Sequence, residues 1–132
     1  LQTMPDPSAC SVMMRKAVRY IHDNYTSPIY RENIAQFLNL NPNYLCTLFQ
    51  KEMGMTVLHY IDYMRIRRAS ERLLHHPEMT IREIAEDAGY MTENLFFKVF
   101  KRRMGMPPGQ FREQYAGWPN PAQKQQDAVA PM

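Results

Sequence analysis

The polar side chains of this 132-residue chain are suited to donating and accepting hydrogen bonds, and they form no recognisable set of catalytic residues. The sequence contains no nucleophile–base pair, carboxylate dyad or glycine-rich phosphate loop at a recognisable spacing. Its four histidines lack a zinc-ligand spacing such as HExxH; they are His22, His59, His75 and His76. We therefore expect no enzyme activity, metal ion or cofactor, and we interpret most of the eleven methionines as core residues.

Basic charge is distributed unevenly between two segments of similar pattern. The segment Thr92–Met104 carries four basic residues and one acidic residue, a net charge of +3, whereas Asn41–Met53 carries only Lys51 and Glu52. The whole chain has a formal charge of +3, which permits a polyanionic partner without requiring one. The position of the charge is therefore more informative than its total.

These two segments belong to an internal repeat, which indicates the elements that must position them. Ile34-Ala35 recurs as Ile84-Ala85, fifty residues later. A further set recurs after fifty-one residues; Leu45, Phe49, Met53, Gly54 and Met55 correspond to Phe96, Phe100, Met104, Gly105 and Met106. Each copy is predicted to form a helix, a short turn, a second helix and a glycine stop.

Capping residues predict where these helices begin and end. The run Thr80-Ile81-Arg82-Glu83 is a capping box, and the helix that it opens ends near Gly89. Thr92 caps the following helix, and Asn41 followed by Pro42 caps its counterpart in the first copy. Two short helices joined by such a turn form a helix-turn-helix, and strand-like alternation is absent, so an all-α body is predicted.

An amphipathic segment, Val57–Leu74, connects the two copies. Its predicted apolar stripe contains Leu58, Ile61, Ile66, Ala69 and Leu73. About eighteen residues give a helix of roughly 27 Å, and successive major-groove faces on one side of B-DNA are about 34 Å apart. With helices projecting beyond its ends, this linker can hold two helix-turn-helix units one DNA turn apart.

Together these motifs resemble the DNA-binding domain of the AraC/XylS family of bacterial transcription regulators, over about residues 11–115. The family's most recognisable run is similar to Ile84-Ala85-x-x-x-Gly89-Tyr90-x-x-x-x-Leu95-Phe96-x-x-x-Phe100-Lys101-Arg102-x-x-Gly105, followed by Pro108-x-x-Phe111-Arg112. The resemblance implies a homeodomain-like fold of about seven helices and a sequence-specific, DNA-binding transcription regulator, with activation as its expected effect.

The resemblance also implies that the second helix of each copy enters the major groove of double-stranded DNA. Its outward residues become candidate base readers: Asn43, Cys46, Thr47, Glu93, Asn94 and Lys98. Amides pair with adenine, ammonium groups with guanine and carboxylates with the cytosine amino group, and short side chains contact the thymine methyl group. Phosphate contacts are expected from the caps and from late basic residues, which are Asn41, Lys51, Thr92, Lys101, Arg102 and Arg103.

Several positions depart from the family pattern. Tyr30 stands where a small hydroxyl residue usually caps the first copy, and Pro107 stands where Ser or Thr often precedes the last helix. We expect each of these two capping changes to cost at most ~1 kcal/mol. Leu95 and Phe97 replace what is commonly a Tyr and a small polar residue, and Phe97 is expected to place an aromatic ring near the DNA surface.

Some alternatives stay open from the sequence. The same fold could serve as a protein-interaction module that does not read DNA, although the doubled unit and the basic second helix argue against it. Cys46 is a DNA-facing small residue or, alternatively, a redox switch. Arg65, Arg67, Arg68 and Arg72 either approach DNA or form a solvated helix face.

The predicted organisation has five parts: a lead (1–10), a first helix-turn-helix unit (11–55), a linker helix (56–76), a second unit (77–116) and a disordered tail (117–132). No signal peptide or membrane-spanning run is visible, which favours a cytoplasmic, nucleoid-associated protein without a membrane partner. RNA polymerase is a candidate further partner. Because family members often carry an effector-binding or dimerisation domain, one is expected upstream of Leu1.

Overall fold

In the computed structural model, which describes residues 11–116, the chain folds into seven α-helices. They are α1 (Val12–Asn24), α2 (Arg31–Leu38), α3 (Pro42–Met53), α4 (Val57–His75), α5 (Ile81–Ala88), α6 (Glu93–Met104) and α7 (Pro108–Tyr115). No strand forms within these residues, which confirms the predicted all-α fold. None of the seven helices is long and apolar enough to cross a membrane. The predicted lead and tail lie outside the described residues.

The chain divides into two compact units after Arg65, in the middle of α4. Apolar residues of α4 are shared between two cores: Val57, Tyr60 and Ile61 belong to the first, and Ile66, Ala69 and Leu73 belong to the second. The sequence assigned residues 56–76 to a separate linker. A helix, α4, does form over most of that range, and each of its halves packs in the core of one unit, because each half carries its own apolar stripe.

Leu58 was wrongly predicted to belong to the apolar stripe of α4, since its side chain is 64% exposed. The buried stripe of this half of the helix begins at Val57 and continues through Tyr60, Ile61 and Met64. These positions follow the i, i+3, i+4, i+7 spacing of one helix face, and Leu58 lies outside that face.

Glycines end three of the helices as the sequence predicted. Gly54, Gly89 and Gly105 follow α3, α5 and α6 with φ angles of 75°, 103° and 82°. This left-handed backbone allows their N–H groups to bond back to the last turn, and it favours glycine because a side chain would be strained there. Asn39 takes the same role after α2, with a φ of 60°.

The two helix-turn-helix copies begin differently. Thr80 and Glu83 form the predicted capping box, since Thr80 N donates to Glu83 Oε1 (2.8 Å) and Glu83 N donates to Thr80 Oγ1 (3.1 Å). In the first copy Asn33 Oδ1 accepts from Tyr30 N at 2.8 Å, but Tyr30 makes no side-chain cap. The less regular start predicted for α2 is therefore confirmed.

Arginines tie helix ends to neighbouring helices within each unit. In the first unit, Arg65 donates to Tyr25 O (2.7 Å) and Ser27 O (3.0 Å), just after α1. In the second, Arg112 donates to His76 O (2.9 Å), just after α4. Each guanidinium therefore donates to backbone carbonyl groups at or just after the end of a helix, where intrahelical donors are lacking.

An ionic cluster joins α4 to α5. Arg68 donates to both carboxylate oxygens of Asp87 (2.8 and 3.1 Å), and Arg72 Nε lies 3.3 Å from Asp87 Oδ2. The hydrogen bond from Arg68 is the main cause that lowers the pKa of Asp87 below its ordinary value. Arg65, Arg68 and Arg72 are therefore engaged within their units and do not lie on an open solvated face, whereas Arg67 is exposed.

Candidate nucleic-acid interface

The outward face of α3 is set by the apolar stripe on its opposite side. Leu45, Phe49 and Met53 are buried in the first core at intervals of four residues. This packing leaves Asn43 and Thr47 exposed. Because they stand four residues apart, their side chains are neighbours on one accessible face of the helix.

Two polar side chains, that of Thr47 in α3 and that of its N-cap residue Asn41, are partly engaged by the backbone of this helix. Thr47 Oγ1 donates to Asn43 O at 3.0 Å, which leaves its lone pairs and its methyl group for an external partner. Asn41 Oδ1 accepts from the N–H groups of Asn43 (2.8 Å) and Tyr44 (3.3 Å). A phosphate contact by Asn41 would therefore use its side-chain amide nitrogen.

Cys46 lies half-buried at the edge of this face, next to a cation that the sequence did not reveal. Arg31 Nη1 of α2 lies 3.8 Å from Cys46 Sγ. This hydrogen bond is the main cause that raises the pKa of Arg31, followed by the bond to Glu32. Within residues 11–116, neither Cys46 nor any other residue belongs to a group of three His, Cys, Asp or Glu side chains that could hold a metal ion.

The face of α6 is built in the same way and carries more charge. Phe96, Val99 and Phe100 are buried in the second core, which leaves Glu93, Asn94 and Lys98 exposed. The cap at its beginning forms as predicted, since Thr92 Oγ1 accepts from Leu95 N at 3.0 Å. The exposed face therefore offers an amide, an ammonium group and a carboxylate to a ligand.

The predicted phosphate-binding residues differ in their accessibility. Lys51, Lys101 and Arg102 are exposed, but Arg103 is half-buried. In the repeat, Arg103 corresponds to Glu52, whose carboxylate accepts from Ser11 N (2.7 Å) and Ser11 Oγ (3.1 Å) at the start of α1. Its half-buried position distinguishes Arg103 from Lys101 and Arg102, which are exposed.

Three exposed apolar residues of α3 and α6 were not among the predicted site residues. Tyr44 is 57% exposed, Leu95 46% and Phe97 43%. Leu95 and Phe97 were noted from the sequence as departures from the family pattern, and the ring of Phe97 was expected near the DNA surface. Helical phase could have located Tyr44 and Leu95, because Tyr44 stands three residues before Thr47 and Leu95 three before Lys98.

Comparison with known proteins agrees with the helix-turn-helix fold described above. A family model described as a helix-turn-helix domain matches residues 34–114. The chain is 33% identical over 98 residues to the uncharacterized HTH-type transcriptional regulator YpdC of Escherichia coli K12, a match that covers 74% of this chain and 34% of YpdC. The chain therefore spans about a third of the length of that relative.

Solved structures share the fold. The C-terminal domain of AraT, a response regulator from Geobacillus stearothermophilus, superposes with a TM-score of 0.77 at 33% identity, covering 84% of this chain and 93% of that domain. A transcriptional regulator from Chromobacterium violaceum, described as containing an AraC-type DNA-binding domain, gives a TM-score of 0.70 at 21% identity, covering 81% and 95%.

Proposed function

The chain belongs to the AraC/XylS family of helix-turn-helix transcription regulators, and we propose that it is the part of such a regulator that recognises promoter DNA. The observation that carries this proposal is the repetition of an exposed polar face. Asn43 and Thr47 of α3 correspond in the repeat to Asn94 and Lys98 of α6, and all four are exposed. We call α3 and α6 the reading helices, since an α-helix fits the major groove and can present side chains to base edges.

Each exposed group suits a particular base. Asn43 and Asn94 can pair with adenine through their amides, and Lys98 can donate to guanine. Glu93 can accept from the cytosine amino group, while Thr47 and Cys46 can contact a thymine methyl group. The backbone of the DNA is proposed to be held chiefly by Lys51, Lys101 and Arg102, which are exposed near the helix ends, with smaller contributions from Asn41 and Thr92.

One chain is proposed to occupy two adjacent major grooves. Each unit would read one short box, and the boxes would lie one helical turn apart in a site of about 15–20 base pairs. Because the reading helices differ in sequence, the two boxes should differ as well. The site is therefore expected to be asymmetric rather than palindromic.

Selection of bound duplexes from a random pool, followed by footprinting, tests this proposal. We expect two unlike boxes on one face of the DNA. A single box, or a palindrome filled by one chain, would contradict the two-box arrangement. Failure to bind any duplex at low salt would favour the alternative, a protein-interaction module.

Activation is the proposed outcome of binding. We propose that the regulator contacts RNA polymerase, resides on the nucleoid in the cytoplasm, and receives its signal through an effector-binding or dimerisation segment outside this chain. The length of YpdC, about three times the matched region, supports such a segment. A reporter gene behind the selected site tests the sign of regulation, since activation predicts higher expression when the protein is present.

A further inference from the structure

We propose that Phe97 reads thymine in the half of the site bound by α6, through the 5-methyl group of that base. This inference rests on the proposed DNA binding and adds an apolar base contact to it. The phenyl ring of Phe97 is 43% exposed on α6. Its counterpart in the first unit is Cys46, so the fold does not require an aromatic ring at this position of the repeat.

The ring of Phe97 stands among residues assigned to the DNA contact. Asn94 precedes it by three residues and Lys101 follows it by four, and residues at these spacings are neighbours on a helix surface. Both are exposed. An amide that can pair with a base and a cation that can bind phosphate therefore flank the ring, which gives this apolar patch a polyanionic partner by charge complementarity.

Phe97 does not contribute to the hydrophobic core of the second unit. Phe96 and Phe100 are fully buried, with ring centroids 5.6 Å apart, and Phe111 packs against Phe100 at 5.4 Å. Phe97 is not a member of this buried cluster. Its ring therefore remains available to a ligand while the aromatic core of the unit stays intact.

Thymine is the base that fits an exposed phenyl ring. In the major groove it presents a methyl group beside its O4 acceptor, whereas the edges of the other three bases present hydrogen-bonding groups. Contact between the ring and this methyl group removes apolar surface of both from water. A polar residue at position 97 could not obtain this gain.

Uracil substitution isolates the methyl group. Each thymine of the selected site is replaced in turn by deoxyuridine, and duplex binding is measured for the wild-type chain and for Phe97→Ala. At one or more positions in the α6 box, the wild-type chain should bind about fourfold more weakly, as expected for loss of one buried methyl group. In Phe97→Ala that penalty should vanish, and Phe97→Leu should retain part of it.

Controls separate this inference from DNA binding itself. Phe37→Ala removes another exposed aromatic ring, 60% exposed, from α2 and should leave every uracil penalty unchanged. Circular dichroism and thermal unfolding verify that the Phe97 variants are folded. The inference is overturned if wild-type chain is indifferent to uracil throughout the α6 box, if that box contains no thymine, or if Phe97→Ala keeps the full penalty. Absence of any bound duplex would refute DNA binding as a whole instead.

Discussion

Lys98 and Thr47 occupy the same position of the two reading helices but offer different groups to a base. The ammonium group of Lys98 is exposed and carries three donors. The hydroxyl proton of Thr47 is engaged by Asn43 O, so this side chain can only accept a hydrogen bond or make an apolar contact. Discrimination by donated hydrogen bonds should therefore come mainly from the second unit.

Replacement of Lys98 by alanine should relax base preference at one position of the α6 box. The expected loss of discrimination is about 1–3 kcal/mol, because a donor pair to guanine would disappear. Binding to the selected site is compared with binding to sites altered at single base pairs. Lys51→Ala is the matched control and should weaken all duplexes alike. An equally uniform loss in Lys98→Ala would instead identify Lys98 as a phosphate contact.

Asp87 should stabilise the second unit as an anion. We expect Asp87→Asn to lower the free energy of unfolding by about 1 kcal/mol, since it removes a bidentate pair with Arg68 that is only partly exposed. Urea unfolding at neutral pH measures the change. Glu71→Gln serves as the control, because the Glu71 side chain is 53% exposed and 3.5 Å from Arg72, and it should have little effect.

The effect of Asp87 should also depend on pH in a defined direction. Because Arg68 lowers the pKa of Asp87 in the folded state, its stabilisation is present above the unfolded value of about 3.9. It is lost as the pH falls through the lower folded-state pKa, where both states become protonated. The stability difference between wild type and Asp87→Asn should therefore be constant at higher pH and narrow below about pH 4. A difference that grows on acidification would contradict the assignment.

At the scale of the helices, local signals predicted more than long-range ones did. The caps at Asn41, Thr80 and Thr92 and the stop at Gly54 were predictable because each depends on residues within one turn. The bonds that orient the helices were not predictable from spacing. Arg65 reaches back 38 and 40 residues to its acceptors, which only the folded unit brings together.

In the candidate site too, features set within one helix were predictable from the sequence, and contacts between helices were not. Asn43, Asn94 and Lys98 are exposed because the apolar stripe fixes the phase of each reading helix, and that phase is written in the sequence. The cation beside Cys46 comes from another helix, Arg31 of α2, and was therefore missed. Arg103 was predicted to bind phosphate because it is one of the basic residues of α6, but a count of charges does not show that its side chain is half-buried.

Glycine stops give a prediction with an internal control. Gly105→Ala should destabilise the second unit by about 1–2 kcal/mol, because an L-residue is strained at a φ of 82°. Gly109→Ala, in the first turn of α7, should instead be neutral or stabilising by up to about 1 kcal/mol. A Cβ atom would meet no atom within 4 Å at either position, so sterics do not confound the comparison. Thermal unfolding of both variants measures it, and equal effects would argue against backbone strain as the cause.

At the scale of the whole molecule, one architecture occurs twice with different chemistry. Ala17 and Ile21 of α1 align with Ala69 and Leu73 of α4, so Tyr20 corresponds to Arg72. In the repeat of α2 and α5, Phe37 corresponds to Asp87. The first unit has an aromatic pair there, with ring centroids 4.8 Å apart, where the second has an ion pair. The two units therefore share the arrangement of their helices and caps, but they differ in their exposed residues and in the side-chain contacts that join their helices.

This divergence predicts that the two halves of the DNA site respond differently to salt. Binding is compared for one duplex that contains only the α6 box and one that contains only the α3 box. The affinity for the α6 duplex should depend more steeply on salt, because Lys101 and Arg102 would each neutralise a phosphate, whereas α3 offers only Lys51 for this purpose. The logarithmic slopes should differ by about 0.9 for each additional phosphate contact. Binding titrations at several salt concentrations measure both slopes. Replacing Arg102 alone by glutamine should make the two slopes similar, because one such contact would then remain in each half, and Arg103→Gln should change neither slope. Equal slopes in the wild-type chain would show that the charge of α6 does not contact the DNA backbone.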